Sequence, residues 1–422
     1  MKAKLNMCNP PQKNRAVKRN AAIYGTTLFA SMILVSLTGL SWSALAGGHD
    51  DHHSQNNRYY AQTNLVADVN GMAILTDTNL VNAWGVSFNA TGPFWISANG
   101  SGRASIYSVT NDTNGALHVD KVPIEVGIPG EGTPTGQLFN GMGGFGGDVF
   151  IFASEDGVIS GWRPILTNSA EILVHRTNAV YKGITLISSS NGPVLLAANF
   201  AEGTLDAYTY DTNLTLVAQY SDTNAAAGYA PFNVESINGT VYVTFAKQDS
   251  AKHDDVPGAG HGLIDTFDPA TGKFHRLVTG SDAGGKRRDL NSPWGLAMAP
   301  ATFGLHANQL LVGNFGNGTI VALQSKGSCS GLLLAPDHRN LTIEGLWGLT
   351  FGNGGRAGDP NTLYFTVGPG GEGHGLFGSL TPVPNQPIHN HGHDDDDDHG
   401  HGKGNNGHGN GHGNGQGNGH KK

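Results

Sequence analysis

Residues 310–323 read LLVGNFGNGTIVAL, and versions of this stretch recur along the chain. Each copy has a β-branched or aromatic run, a short turn rich in Gly and Asn, and a second such run, which is typical of two antiparallel strands joined by a tight link. A glycine in each link supplies the positive φ that the turn needs. The other copies are FWISANGSGRASIY (94–107), VFIFASEDGVISGW (149–162), VLLAANFAEGTLDAY (194–208), VYVTFAKQDS (241–250) continued by GLIDTF (262–267), and LYFTVGPGGEGHGLF (363–377).

A Trp-Gly pair precedes three of these copies, in NAWGV (82–86), SPWGL (292–296) and GLWGL (345–349). Degenerate versions occur at 181–184 and 231–234. The anchors fall near residues 84, 139, 183, 232, 294 and 347, about 53 residues apart, a period in the range of propeller repeats. We therefore predict an all-β, six-bladed β-propeller over residues 63–380, with the Trp-Gly pairs on the innermost strands. The run at 63–67 is expected to complete the sixth blade.

The block NLVADVNGMAILTDTNLVNAWGVSFNATGPFWISANGSG (64–102), with NSPWGLAMAP (291–300) and GNFGNGTIVAL (313–323), resembles a family of exported bacterial proteins of unknown function. That family carries an NLVSD-x-PG-x-A…NPWG…FWV-x-NG-x-G block and resembles NHL-type six-bladed propellers. Asn70 and Ala83 replace two prolines of its pattern. The resemblance covers about 63–380 and implies the fold, with no activity.

Composition excludes several classes of protein. The formal net charge is −8, and six of the 25 basic residues fall within the first 46 residues, so no nucleic-acid partner is expected. Two cysteines and no C-x-x-C-H sequence exclude a disulfide framework, a cysteine zinc module and covalently attached haem. A Walker loop, a G-x-S-x-G elbow and an H-E-x-x-H motif are missing, so we expect neither a nucleotide cofactor nor a standard hydrolase.

The first 46 residues have the pattern of a secretory signal peptide: a basic segment, the apolar stretch 23–40 and Ala44-Leu45-Ala46 before the cut. An uncleaved anchor is the alternative. Cleavage predicts export to the periplasm, the cell surface or the medium, without a stable membrane span. It also leaves a disordered leader over 47–62 that starts Gly47-Gly48-His49. A His at the third position from a free amino terminus, here His49, suits Cu(II) or Ni(II), and His52 and His53 add donors.

Residues 381–422 are predicted to form a disordered His/Gly/Asp-rich tail, because from residue 389 onward they contain no aliphatic or aromatic side chain. Imidazoles two to four residues apart on a flexible chain can wrap Zn²⁺, Ni²⁺ or Cu²⁺, with carboxylates completing the shell. A merely solubilising tail is the alternative. The predicted ligands are His389, His391, His393, Asp394, Asp396, His399, His401, His408 and His412.

Propellers bind ligands where loops converge at the mouth of the central channel. Residues at the end of the second strand of each repeat are candidates for this mouth. Glu155 with three Asn residues also suits a Ca²⁺ site, although Asn before Gly is more typical of a turn. The long polar insertion Lys247–Asp255 is either a lid or a solvated loop. The candidates are Asn99, Glu155, Asn199, Lys247, Asn314 and, from the last repeat, Glu372 and His374.

Three functions stay open from the sequence. The first is an exported, non-enzymatic binding or scaffold propeller whose His-rich ends bind transition metals, with an unknown small molecule or protein on the propeller face. The second is a divalent-cation-dependent hydrolase, lactonase or lyase acting at the channel mouth. The third is a surface or matrix protein. Only the second predicts a metal within the propeller itself.

Overall fold

A computed structural model describes residues 57–384, and they form an all-β structure of 25 strands. The strands are β1 (Tyr59–Ala67), β2 (Leu75–Thr76), β3 (Ala83–Ser87), β4 (Phe94–Ala98), β5 (Arg103–Asn111), β6 (Leu117–Gly127), β7 (Pro134–Phe139), β8 (Phe150–Ser154), β9 (Val158–Trp162), β10 (Glu171–His175), β11 (Tyr181–Ser189), β12 (Gly192–Asn199), β13 (Thr204–Tyr210), β14 (Leu214–Tyr220), β15 (Tyr229–Ile237), β16 (Thr240–Lys247), β17 (Leu263–Asp268), β18 (Lys273–Thr279), β19 (Pro293–Met298), β20 (Leu310–Asn314), β21 (Ile320–Leu323), β22 (Cys329–Leu332), β23 (Leu346–Phe351), β24 (Leu363–Val367) and β25 (Leu376–Val383). Short 3-10 helices span Asn99–Ser101, Phe145–Gly147, Pro164–Leu166 and Gly304–His306. Within this part of the chain, no helix is long and apolar enough to cross a membrane.

The strands form six antiparallel sheets, which confirms the predicted six-bladed propeller. Five sheets contain four consecutive strands: β3–β6, β7–β10, β11–β14, β15–β18 and β19–β22. The first strand of each blade contacts the first strand of the next, and β23 contacts β3, so the ring closes. Hydrophobic clusters fill the spaces between neighbouring sheets.

The sixth blade closes the ring with strands from both ends of the described chain, as the sequence predicts. Strand β1 lies antiparallel to β25, and the sheet order is β2-β1-β25-β24-β23. Strand β1 begins at Tyr59, inside the segment that we assigned to the leader, and β25 ends at Val383, beyond residue 380. Tyr60 explains the earlier start: it is fully buried, and its hydroxyl donates a hydrogen bond to the Phe303 carbonyl at 3.2 Å.

The predicted glycine turns are present between the second and third strands of several blades. Gly102, Gly203 and Gly318 have φ values of +68°, +69° and +69°. One anchor was misplaced: the second blade has its inner-strand glycine at Gly136, not near residue 139. A Cβ on Gly136 would lie 2.9 Å from the Cα of Gly183 on the next inner strand, so this position requires glycine. The sequence around it, Pro134-Thr135-Gly136-Gln137, lacks the aromatic residue that marks other copies.

Candidate functional site: two ends of the central channel

All six inner strands carry a register shift at the same position, next to the predicted anchors. The shifts fall between Ala83 and Val86 in the first blade, between Tyr181 and Gly183 in the third, and at matching places in the others. A bulge releases one residue from the ladder and re-aims its side chain. The residues at the shifts are Trp84, Thr135, Lys182, Phe232, Trp294 and Trp347.

Aromatic side chains from this ring fill the centre of the propeller. The rings of Trp84 and Trp347 stack with centroids 3.6 Å apart, and Phe315 stacks on Trp347 at 3.8 Å. Trp294 meets both tryptophans edge-on, and Phe232 packs beside Trp347 at 5.9 Å. We call this set, with Phe200, the aromatic layer; five of its six members belong to one buried cluster, and Phe315 packs against it. It lies between two distinct ends of the channel.

At the end where the inner strands begin, a buried ammonium group sits among carboxylates. Lys182 is 2% exposed and forms ion pairs with Glu155 and, at 3.3 Å, with Asp254. Burial alone disfavours the charged amine, but the carboxylates outweigh it and the pKa of Lys182 is raised. We call Glu155, Lys182, Asp254 and Glu372 the acidic mouth.

Hydrogen bonds tie the other side of the acidic mouth to the aromatic layer. Asn82 donates from Nδ2 to Glu372 Oε2 at 2.7 Å and to Asn99 Oδ1 at 3.3 Å, while its Oδ1 accepts from Trp347 Nε1 at 3.1 Å. Asn99 in turn donates to Glu155 Oε2 at 2.9 Å. Burial, with Glu155 nearby, raises the pKa of Glu372.

The polar insertion after β16 folds back onto the acidic mouth. Asp249 N donates to the Asp254 carbonyl at 2.8 Å, so the insertion turns on itself and brings Asp254 to Lys182. Although burial raises the pKa of Asp254, Lys182 and His253 outweigh it and lower the pKa overall. Its side chain remains 67% exposed.

Potential metal ligands also meet at this mouth. Glu155, His253 and Asp254 each offer a ligand atom, and the three atoms lie within 4.8 Å of one another. However, the Lys182 ammonium already contacts both carboxylates. A metal ion there has to compete with this amine.

The structure separates the remaining candidates of the predicted mouth. Asn199 bonds Glu202 and Asp206, and Asn314 bonds the Asp289 carbonyl and Thr319, so both serve their own turns and blades. Lys247 pairs with Asp282 at 2.8 Å, and His374 contacts Asp68 at 2.9 Å. Among the predicted candidates, only Asn99 and Glu155 are hydrogen-bonded to each other.

The predicted metal ligands of the two ends, from His49 to His53 and from His389 to His412, lie outside the described residues.

The other end of the channel holds a cavity of about 510 Å³ on the opposite side of the aromatic layer. All six inner strands contribute to its wall. We call it the inner cavity, and its lining residues include Val86, Gln137, Ile184, Asn233, Glu235, Ile237, Trp294, Leu296, Met298, Leu349, Thr350 and Phe351. Its volume is in the range of small-molecule sites, and its wall combines apolar with polar side chains.

Glu235, near the end of β15, brings an isolated carboxyl group to the inner cavity. It forms no hydrogen bond or ion pair with any residue in the range 57–384, and burial raises its pKa to about 8. Opposite it across the sheet lies Tyr242 of β16. Glutamate in the middle of a strand carries no distinctive sequence signal, so the motif search missed it. Lys182 was also missed, because Tyr181-Lys182-Gly183 is only a weak copy of the Trp-Gly anchor.

No protein-family model matches the chain. Two uncharacterized proteins of Acanthamoeba polyphaga mimivirus are each 27% identical to it, over 337 and 335 residues. The alignments cover 75% of this chain in both cases, and 84% and 78% of the viral proteins. The resemblance to an exported bacterial family therefore stays a prediction.

Two solved structures are similar to this chain in fold. A virginiamycin B lyase from Staphylococcus aureus has a TM-score of 0.42 and 12% identity, covering 77% of this chain and 100% of the lyase. An auxiliary nutrient binding protein from Bacteroides thetaiotaomicron has a TM-score of 0.45 and 12% identity, covering 72% and 69%. At this level of similarity neither structure bears on what this chain binds.

Proposed function

We propose that this chain is a non-enzymatic binding propeller that takes a small organic molecule into the inner cavity. The observation that carries the proposal is the cavity itself: about 510 Å³, bounded by all six inner strands and by Trp294 of the aromatic layer. Pockets of this size are typical of small-molecule sites.

The wall chemistry favours binding over catalysis. Glu235 is the one residue with a titratable side chain among the residues that line the inner cavity. Acid–base hydrolysis needs a positioned acid and base, and covalent catalysis needs a nucleophile beside a base. A lone carboxyl group without a second acid, base or nucleophile in the wall supplies a point of recognition instead.

The test is a thermal-shift screen of a chemically mixed small-molecule library against the full chain, because a ligand of the folded state raises the melting temperature. A Thr350→Trp variant fills the inner cavity from its wall and should abolish the shifts. Thr215→Trp, on the exposed side of outer strand β14, is the matched control. If the melting-temperature shifts persist in Thr350→Trp, the compounds bind outside the inner cavity. If NMR shows that the chain converts a bound compound chemically, the chain is an enzyme and the proposal is wrong.

The sequence hypothesis of a cation-dependent hydrolase, lactonase or lyase has one supporting observation, the grouping of Glu155, His253 and Asp254. Lys182 opposes it by neutralising two of the three ligands. Calorimetric titration of Ca²⁺, a metal that imidazoles bind poorly, into the full chain and into Lys182→Met separates the two ideas. A tight propeller site in the natural sequence supports a metal enzyme; binding that arises only in Lys182→Met shows that the lysine excludes metal.

A second proposal concerns the two ends of the chain. We infer that His49, His52, His53 and the tail histidines bind transition metals after export, because their spacing lets several imidazoles reach one ion. Titrating Cu²⁺, Ni²⁺ and Zn²⁺ into the full chain and into a variant with Asn at the tail histidines tests the tail. Amino-terminal sequencing of exported protein tests the Gly47-Gly48-His49 terminus. Equal metal binding by both variants contradicts the role of the tail, and a solubilising role in a surface or matrix protein then remains.

A further inference from the structure

We propose that the ligand of the inner cavity is a small organic cation whose ammonium group pairs with the Glu235 carboxylate. The inference rests on the proposed binding function of this cavity and adds the chemical class of the ligand. Two features of the wall carry it: a carboxyl group without a partner of opposite charge, and the access of that group to the cavity.

The first feature is the lack of a cation beside Glu235. Its carboxyl group has no hydrogen bond or ion pair within the described chain, and no Lys, Arg or His lines the inner cavity. Burying an ionised carboxylate is costly unless an opposite charge accompanies it. In agreement, burial raises the pKa of Glu235 to about 8. An ammonium ligand supplies the missing charge.

The second feature is the access of Glu235 to the inner cavity. Its side chain lines the cavity and is only partly buried, so a ligand in the cavity can reach the carboxyl group. The Gln137 amide is different: its Nε2 donates to the backbone carbonyls of Gly85, at 3.0 Å, and Trp95, and its Oε1 is buried inside the wall. Glu235 is therefore the polar group that an ammonium ligand would meet.

Several apolar side chains of the wall can pack around an organic body. They are Trp294, Met298, Leu349 and Phe351, and the Asn233 amide beside them is engaged by the Trp294 carbonyl at 2.9 Å and the Val234 amide at 2.8 Å. Aromatic and thioether groups pack well around an organic ammonium.

The experiment is calorimetry at pH 7 on the full chain, with pairs of probes in which an amine and an alcohol have nearly the same shape. The cationic probes are 2-phenylethylamine and cyclohexylmethylamine, the neutral ones 2-phenylethanol and cyclohexylmethanol, and the anionic one 3-phenylpropionate. We expect the amines to bind at least about tenfold more tightly than their alcohols, and Glu235→Gln to remove that preference. Glu131→Gln, at an exposed glutamate, should leave it unchanged.

Proton release on binding is a second measurement, and it is not expected if Glu235 has only a structural role. An ammonium ligand ionises the carboxyl group on binding, so the heat should depend on the ionisation enthalpy of the buffer in the natural chain and lose that dependence in Glu235→Gln. If the alcohols bind as tightly as the amines, and Thr350→Trp abolishes the binding of both, the proposal of a cationic ligand is wrong but the binding function of the cavity stands. If no probe binds, the cationic ligand is overturned, and the library screen then decides the binding function separately.

Discussion

The ammonium nitrogen of Lys182 lies 5.3 Å from the ring centroid of Trp84, on the axis of the propeller. Lys182 occupies at the bulge of β11 the position that tryptophan holds in β3, β19 and β23. One blade thus contributes a charge where three others contribute an indole. The charge faces Glu155 and Asp254 on one side and an aromatic π-face on the other, an arrangement that favours a buried cation.

Replacing Lys182 with Met should destabilise the propeller by about 3 kcal/mol, because it leaves Glu155 buried without its cation. The measurement is urea unfolding of the full chain. Lys252→Met, in the exposed part of the insertion, should change the unfolding free energy by less than about 0.5 kcal/mol.

A double variant checks that the loss at Lys182 is electrostatic. Adding Glu155→Gln to Lys182→Met should recover part of the stability, since the uncompensated carboxylate is then gone. Strictly additive losses from the two substitutions contradict the pairing and point to packing against Trp84 instead.

The Trp-Gly glycines should be intolerant of a methyl group. A Cβ on Gly85 would lie 2.4 Å from the Thr135 carbonyl oxygen on the neighbouring inner strand. Gly85→Ala should therefore cost about 2 kcal/mol by forcing two blades apart. In Gly127→Ala the added atom meets only the Asn168 carbonyl, at 3.6 Å, and this variant is the control in the same urea series. Equal effects of both substitutions are incompatible with close blade packing at Gly85.

Removing one ring from the aromatic layer should open a hole in the centre. Trp347 is 1% exposed, stacks on Trp84 and Phe315, and donates a hydrogen bond to Asn82. Trp347→Ala should lower the unfolding free energy by about 4 kcal/mol. Ile165→Ala, at a side chain that is 80% exposed, should leave it nearly unchanged. A loss below about 1 kcal/mol at Trp347 means that the layer does not hold the ring together.

The repeated strands made the fold predictable, because each copy combines short β-branched or aromatic runs with glycine-containing turns. Trp84, Trp294 and Trp347 also placed the inner strands correctly. The second blade was harder to align, because Thr135 stands where other blades have an aromatic residue. The need for glycine at the next position, Gly136, comes only from its contact with Gly183 on the neighbouring inner strand. Local sequence marks a turn or a strand, but not which strand lies beside it.

The functional groups were less accessible to sequence reasoning because they act through distant partners. Asn99 and Glu155 were chosen at equivalent strand ends and do meet, whereas Asn199 and Asn314 at the same position serve turns. Glu235 is notable only because no cation lies near it, and sequence cannot show such a lack of neighbours. The unpaired Oε1 of Gln137 likewise depends on carbonyl groups from two other strands.

The pH dependence of stability should carry the signature of Glu235. Its pKa rises from an ordinary 4.5 to about 8 in the folded chain. Between these values the unfolded chain has lost a proton that the folded chain keeps, so stability falls as the pH rises through this window and falls no further above it. Below pH 4.5 both states are protonated and the term vanishes.

Glu235→Gln removes this pH-dependent contribution of residue 235 to the free energy of unfolding. The variant should match the natural chain near pH 4 and exceed its unfolding free energy by about 2 kcal/mol at pH 8.5, a figure reduced for screening by water in the cavity. The comparison must be a difference between variants, because burial also raises the pKa of Asp265, to about 7, and adds a slope of the same sign. Glu131→Gln serves as the control in urea unfolding from pH 4 to 9. Parallel curves for Glu235→Gln and the natural chain mean that the carboxyl group ionises normally and that the cavity does not isolate it from bulk water.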